Sequence, residues 1–82
     1  MIKILAARFL GDFKIELEFS SGETGVYDGR ELLKREGVLL DPLRDEAYFR
    51  RFFVDAGALA WPNGLELAPG RLREHTAVLH AV

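Results

Sequence analysis

The chain has 82 residues, of which 49% are hydrophobic, and it carries 11 basic and 13 acidic side chains. This composition predicts one globular domain near the lower end of the size range that folds alone. Cysteine is absent, which excludes disulfides, cysteine-ligated zinc and thiol catalysis. Residues 1–29 are net acidic and residues 30–82 carry equal numbers of basic and acidic groups. Neither half has the basic excess typical of direct nucleic-acid binding.

The sequence also predicts a cytoplasmic protein with no membrane partner. No apolar run approaches the roughly 20 residues of a membrane span. The first residues alternate like a strand and lack the pattern of a signal peptide.

Three strands joined by tight turns are predicted over residues 2–9, 13–20 and 24–28. Gly11-Asp12 is typical of a type II′ hairpin turn, because glycine at the first position supplies a positive φ. The second strand has the clearest alternation, with four apolar side chains on one face: Phe13, Ile15, Leu17 and Phe19.

Two short helices are predicted next. Asp28 and Glu31 fit an acidic variant of the capping box, and Gly37 is placed to end that helix. Residues 38–40 are expected to be a buried connector. Residues 42–44 are predicted to form a turn and 45–51 a second helix capped by Asp45, with a single helix over 42–51 as the alternative.

The remaining chain predicts two more strands, at 52–55 and 58–61, followed by a Pro62-Asn63-Gly64 turn. A helix is predicted over 69–80. The predicted fold class is therefore α+β: an antiparallel sheet of about five strands in the order β-β-β-α-α-β-β-α, with the helices packed mainly on one face.

These motifs, in this order, resemble the small bacterial domain-of-unknown-function family numbered 2442. The most specific segment of the resemblance is Trp61-Pro62-Asn63-Gly64 with Pro69 after it. The other matching segments are residues 19–28, Leu32-Leu33, residues 42–45 and Tyr48-Phe49, so the resemblance covers about residues 2–73. The chain departs from the family pattern at Ala68 and Gly70, where acidic residues are frequent.

The resemblance implies a compact α+β domain with no established enzymatic activity. It also implies occasional fusion to a helix-turn-helix domain, and genes that lie beside another small protein in arrangements suggestive of toxin–antitoxin pairs. These expectations come from the resemblance and not from the composition.

No catalytic residue, cofactor or metal site is predicted from the residues themselves. His75 and His80 are five apart, so on one helix they do not chelate the same metal ion. Asp28 and Asp45 have a sufficient role as helix caps, and no serine lies in a nucleophile motif.

Three groups of residues are candidates for an interaction surface. The first is Trp61, Pro62 and Asn63, since tryptophan is enriched at interfaces, although Trp61 in the core is the main alternative. The second is an arginine patch for an acidic partner, made of Arg44, Arg50 and Arg51. The alternative is that these arginines belong to a solvated surface of mixed charge. The third is the surplus apolar surface of the last helix, represented by Val78 and Val82. The alternative is that these residues form only a frayed tail.

The predicted function is a non-enzymatic binding module that acts through protein–protein contact or self-association, and an antitoxin-like role is its most concrete version. One alternative is a small-molecule-binding domain or minor enzyme with a pocket near Trp61 and Asn63. A DNA-associated regulator is the third possibility.

Overall fold

The computed structural model describes residues 1–80, with side chains up to residue 77. Two antiparallel sheets carry the fold. The first has four strands in the spatial order β1-β2-β3-β7, and the second has three in the order β4-β5-β6. The strands are β1 (Ile4–Gly11), β2 (Lys14–Phe19), β3 (Thr24–Asp28), β4 (Phe53–Asp55), β5 (Ala58–Ala60), β6 (Glu66–Leu67) and β7 (Thr76–His80).

Short helices connect and follow these strands. The α-helices are α1 (Glu46–Phe49) and α2 (Pro69–Glu74), and 3₁₀ helices span Gly29–Lys34 and Asp41–Arg44. No helix within residues 1–80 is both long enough and apolar enough to cross a membrane.

The predicted meander is confirmed, with one shift in its first turn. Ile15, Leu17 and Phe19 of β2 are fully buried, as the alternation predicts. The turn residues are Asp12 and Phe13, both with positive φ, so the predicted Gly11-Asp12 position is wrong by one residue. The unusual φ of Phe13 is compensated by contacts, since its ring packs against Phe49 and its carbonyl accepts a hydrogen bond from the Gly29 amide at 2.8 Å.

The helix after β3 begins at the predicted residue but is a 3₁₀ helix. Asp28 caps it by accepting a hydrogen bond from the Arg30 amide. The predicted return bond from Glu31 is absent, because the Glu31 carboxylate binds Tyr27 and Arg71 instead. The helix ends before Gly37, so the predicted glycine stop is also wrong.

The Asp45 cap is confirmed, since its carboxylate accepts a hydrogen bond from the Ala47 amide at 3.2 Å. The helix that follows, α1, is shorter than the predicted 45–51. The turn predicted at 42–44 is the second 3₁₀ helix.

The single five-stranded sheet is wrong, although the α+β class and the antiparallel pairing are confirmed. Strands β4 and β5 form a separate hairpin that pairs with β6. This small sheet meets the first one where the Ile4 amide donates to the Gly57 carbonyl at 2.8 Å.

The predicted helix over 69–80 is correct only up to Glu74. Residues 76–80 form β7, which pairs with the edge of β3. Thr76 and Val78 are β-branched and suit a strand, and β3 would otherwise leave a row of backbone groups without partners. Gly25 permits this pairing, because a Cβ there would lie 2.5 Å from the Ala77 carbonyl oxygen.

One core joins both sheets and the helices. The helices contribute buried side chains at Leu32, Leu43, Phe49 and Leu72, which belong to the same cluster as the buried face of β2. Glu16 and Glu18 point to the other face of β2 and remain accessible to solvent. The helices therefore lie on one face of the first sheet, and the second sheet contributes Leu59, Trp61 and Leu67 to the same core.

Candidate functional site

A groove of about 470 Å³ lies between the segment 35–40 and strand β6. Residues 35–40 form one wall and residues 65–68 form the other. Leu32 and Arg71 complete the lining. We call this concavity the edge groove, because β6 is an edge strand of the second sheet.

The first wall exposes apolar side chains. Val38 is 85% exposed and Leu39 is 44% exposed, whereas Leu40 is buried. The predicted buried connector over 38–40 is therefore wrong for two of its three residues. The segment makes a tight turn here, with the Leu40 amide bonded to the Gly37 carbonyl at 3.0 Å. This turn directs Leu40 into the core and leaves its two predecessors at the surface.

Arg44 fixes the beginning of this wall. Its guanidinium donates hydrogen bonds to the carbonyl oxygens of Leu33 at 2.6 Å and Arg35 at 2.8 Å. Charge-assisted bonds of this kind are stronger than neutral ones. Arg44 therefore holds the chain that leads into the groove, and two of its guanidinium nitrogens are used in doing so.

Asn63 fixes the other end of the wall. Its Nδ2 donates to the Leu39 carbonyl at 2.9 Å, and its Oδ1 accepts from the Leu65 amide at 3.2 Å. The turn that carries Asn63 is closed by a hydrogen bond from the Gly64 amide to the Trp61 carbonyl. One amide side chain therefore connects the two walls of the edge groove.

The second wall presents an open backbone edge. The Trp61 amide bonds to the Leu65 carbonyl at 2.9 Å, and Leu59 lies opposite Leu67. Hydrogen-bonded pairs alternate along an antiparallel ladder. Glu66, which lies between the two bonded positions, therefore directs its N–H and C=O away from β5. The side chain of Glu66 is exposed and lines the groove.

A polar network borders the groove at Arg71. The Arg71 guanidinium makes two 3.0 Å hydrogen bonds to the Glu31 carboxylate, which also accepts from the Tyr27 hydroxyl. Burial acts to raise the pKa of Glu31, but these hydrogen bonds outweigh it and hold the pKa below its ordinary value. Burial and the Glu31 carboxylate both raise the pKa of Tyr27. The Arg71 charge is thus neutralised locally, and the network ties α2 to the meander.

Trp61 lies in the core and not on a surface. Its side chain is 1% exposed, and its indole Nε1 donates to the Phe49 carbonyl at 2.7 Å. The rings of Phe49 and Phe52 pack against it. The core alternative is therefore confirmed for Trp61, and its side chain is not available to a partner. Pro62, its neighbour, is exposed.

The three arginines of the predicted patch have different neighbours. Arg50 lies over the Phe9 ring at 5.2 Å and Arg51 over the Tyr48 ring at 5.4 Å. Arg44 is occupied by backbone carbonyls, as described above.

The helix predicted to carry Val78 does not reach that residue. The backbone of Val78 belongs to β7, and Val82 lies outside the described residues.

The edge groove was missed by sequence reasoning. Aliphatic residues such as Val38 and Leu39 are normally expected to be buried. The only sequence feature that indicated exposure was their position in a short connecting segment. The described residues also contain no group of three or more histidine, aspartate or glutamate side chains that could hold a metal ion.

A family model described as "Protein of unknown function (DUF2442)" matches residues 4–76. The chain belongs to this family. The DUF2442 match begins with β1 and ends at the first residue of β7, so it includes both walls of the edge groove. No curated protein and no solved structure matches the chain.

Proposed function

We propose that this DUF2442 protein is a non-enzymatic binding module that contacts another protein through the edge groove. The observation that carries the proposal is the exposure of Val38 and Leu39 on a wall that Arg44 and Asn63 hold in place. Exposed apolar side chains favour association, because contact removes them from water. A wall that is already ordered loses less conformational entropy when a partner binds.

An antitoxin-like role is the most concrete version of this proposal. In that version the edge groove holds one cognate small protein encoded by a neighbouring gene. It is supported by the gene arrangements that the family resemblance implies. Self-association through the same groove is the other version, and the two differ in the stoichiometry of the complex.

The experiment is a matched substitution pair at exposed leucines. Leu39→Lys places a charge in the groove, whereas Leu5→Lys places the same charge on β1, where Leu5 is 57% exposed and outside the groove lining. Each variant is used to capture partners from the source cell. Complexes are then rebuilt from purified components, and their stoichiometry and affinity are measured by sedimentation and titration calorimetry.

A partner that binds the native protein and Leu5→Lys but is lost with Leu39→Lys supports the proposal. Val38→Lys is a second groove variant, and it should fold like the native protein because this side chain is almost fully exposed. If the rebuilt complex or self-association is equally strong in all variants, the groove is not the contact surface. A strictly monomeric protein with no partner contradicts both versions.

A small-molecule site is the second candidate, and the volume of the edge groove favours it. About 470 Å³ lies within the range of ligand pockets. The predicted pocket beside Trp61 has less support, since Trp61 is buried and both polar atoms of Asn63 are already bonded. A metabolite screen by thermal shift separates the candidates, because a ligand that binds only the folded state stabilises it by RT ln(1 + L/Kd), where L is the free ligand concentration, and so raises the melting temperature. A hit that Leu39→Lys removes would favour the ligand.

A further inference from the structure

Strand β6 has a free hydrogen-bonding edge at Glu66, one of the residues that line the edge groove. Glu66 directs its N–H and C=O away from β5, by the ladder alternation described above. Within residues 1–80, neither group takes part in a turn or loop hydrogen bond. An open strand edge of this kind is a template for another strand.

We propose that the edge groove accepts an extended peptide segment that pairs antiparallel with β6 and has an apolar–basic–apolar pattern. The inference rests on the proposed function and specifies its partner. Main-chain hydrogen bonds to a sheet edge supply affinity in this mode of recognition, and alternate side chains supply specificity. One residue of the incoming segment exchanges both backbone bonds with Glu66.

The side-chain pattern follows from the pleat. A residue directly opposite Glu66 has its side chain on the same face as the Glu66 carboxylate. Its two neighbours lie on the other face, which is the face of Leu65 and the buried Leu67. Leu39, on the opposite wall, bounds this space. Apolar side chains therefore suit the two flanking positions.

Charge complementarity selects the central residue. The Glu66 carboxylate is exposed and makes no ion pair with any residue whose side chain is described. Two arginines line the groove: Arg71 is already paired with Glu31, and Arg35 lies on the opposite wall next to Glu36 in the chain, so residues 35–40 add no net charge. A lysine or arginine opposite Glu66 gains a cross-strand ion pair, whereas an acidic residue there is repelled.

The test uses capped five-residue peptides and the intact protein. The first peptide is Thr-Val-Lys-Val-Thr, the second has glutamate in place of lysine, and the third carries an N-methyl group on the lysine amide. Binding is followed by NMR from the backbone amides of residues 35–40 and 65–67. We expect the lysine peptide to bind about threefold more tightly than the glutamate peptide. We expect N-methylation to weaken binding about tenfold, since it removes one backbone donor.

Charge reversal in the protein provides the matched control. Glu66→Lys should make the glutamate peptide the stronger ligand. Glu74→Lys, which introduces the same charge change at an exposed position on α2 outside the groove lining, should leave the original order intact. Equal binding of the N-methylated peptide, or an order that Glu66→Lys does not reverse, overturns the strand-pairing inference.

The peptide test and the partner test fail separately. If no peptide shifts the groove amides at millimolar concentration, strand pairing is wrong, while loss of the protein partner in Leu39→Lys would still support the proposed function. If the peptides bind as expected but Leu39→Lys retains every partner, the groove accepts strands and the proposed function is wrong. If a second copy of the chain occupies the groove, the peptides will compete with self-association in sedimentation.

Discussion

Asn63→Asp separates the two hydrogen bonds that Asn63 makes. Aspartate retains an oxygen that accepts from the Leu65 amide but has no Nδ2–H to donate to the Leu39 carbonyl. Leu39 is partly exposed, so water can reach the released carbonyl. The variant therefore loses one net hydrogen bond, about 1 kcal/mol, and repulsion between the new carboxylate oxygen and the Leu39 carbonyl oxygen adds to that loss. It falls on the turn in which the Leu40 amide bonds to the Gly37 carbonyl.

Hydrogen exchange of the Leu40 amide measures this loss directly. If the turn opens locally, a destabilisation of about 1 kcal/mol accelerates exchange about fivefold. Amides in the centre of β2, such as that of Leu17, report global unfolding and serve as the internal reference. Asn63→Ala removes both bonds without introducing a charge and should also accelerate exchange of the Leu40 amide. The same variants should weaken partner binding, because the wall is then ordered only when the partner binds.

The result that would refute this reasoning is equal acceleration at Leu40 and Leu17. Such a result would mean that Asn63 stabilises the whole fold and does not hold the groove wall. Unchanged exchange at Leu40 in both variants would mean that the hydrogen bond to Leu39 contributes nothing to the wall.

Three further predictions concern stability. A Cβ at Gly29 would lie 2.4 Å from the buried Phe49 ring, so Gly29→Ala should lower the free energy of unfolding by about 1–3 kcal/mol. A Cβ at Gly70 has open space around it, so Gly70→Ala should raise the free energy of unfolding by about 0.4–1 kcal/mol. Urea unfolding measures both changes. Trp61→Phe should lower the free energy of unfolding by about 1–3 kcal/mol, because the buried Phe49 carbonyl loses its hydrogen-bond donor. Unfolding followed by circular dichroism measures this change. The pKa of Glu31 is held below its ordinary value of 4.5. Its contribution to the free energy of unfolding is therefore present above pH 4.5 and lost as the pH falls through the lower folded pKa. Glu31→Gln should flatten the slope of the free energy of unfolding against pH on this acid side.

The local parts of the fold were predictable from the sequence. The alternation of β2 fixed its buried face, and Asp28 and Asp45 marked two helix starts, because these signals depend on neighbouring residues. The end of the chain was not predictable in this way. The apolar residues after Glu74 fit one face of a helix, but they also suit a strand. The choice was decided by the edge of β3, some fifty residues earlier in the chain.

The candidate site was predictable only in part, for the same physical reason. Sequence reasoning singled out Asn63 as unusual, and the structure gives it two specific bonds. One of them reaches Leu39, 24 residues away, which no local pattern reveals. The exposure of Val38 contradicts the general tendency of aliphatic residues to be buried, so it could be recognised only once the turn at Gly37 was in place.

The distinction between a contact residue and a positioning residue changes how a scan of this surface should be interpreted. Arg44 and Asn63 were candidates for direct contact with a partner, yet both donate hydrogen bonds to carbonyl oxygens that hold the groove wall. Their substitution should therefore weaken binding and accelerate local exchange together. Val38 is nearly fully exposed, and its substitution should weaken binding while exchange at Leu40 stays unchanged. If Arg44→Ala weakens binding without any change in exchange, its guanidinium touches the partner directly, and the wall does not depend on it.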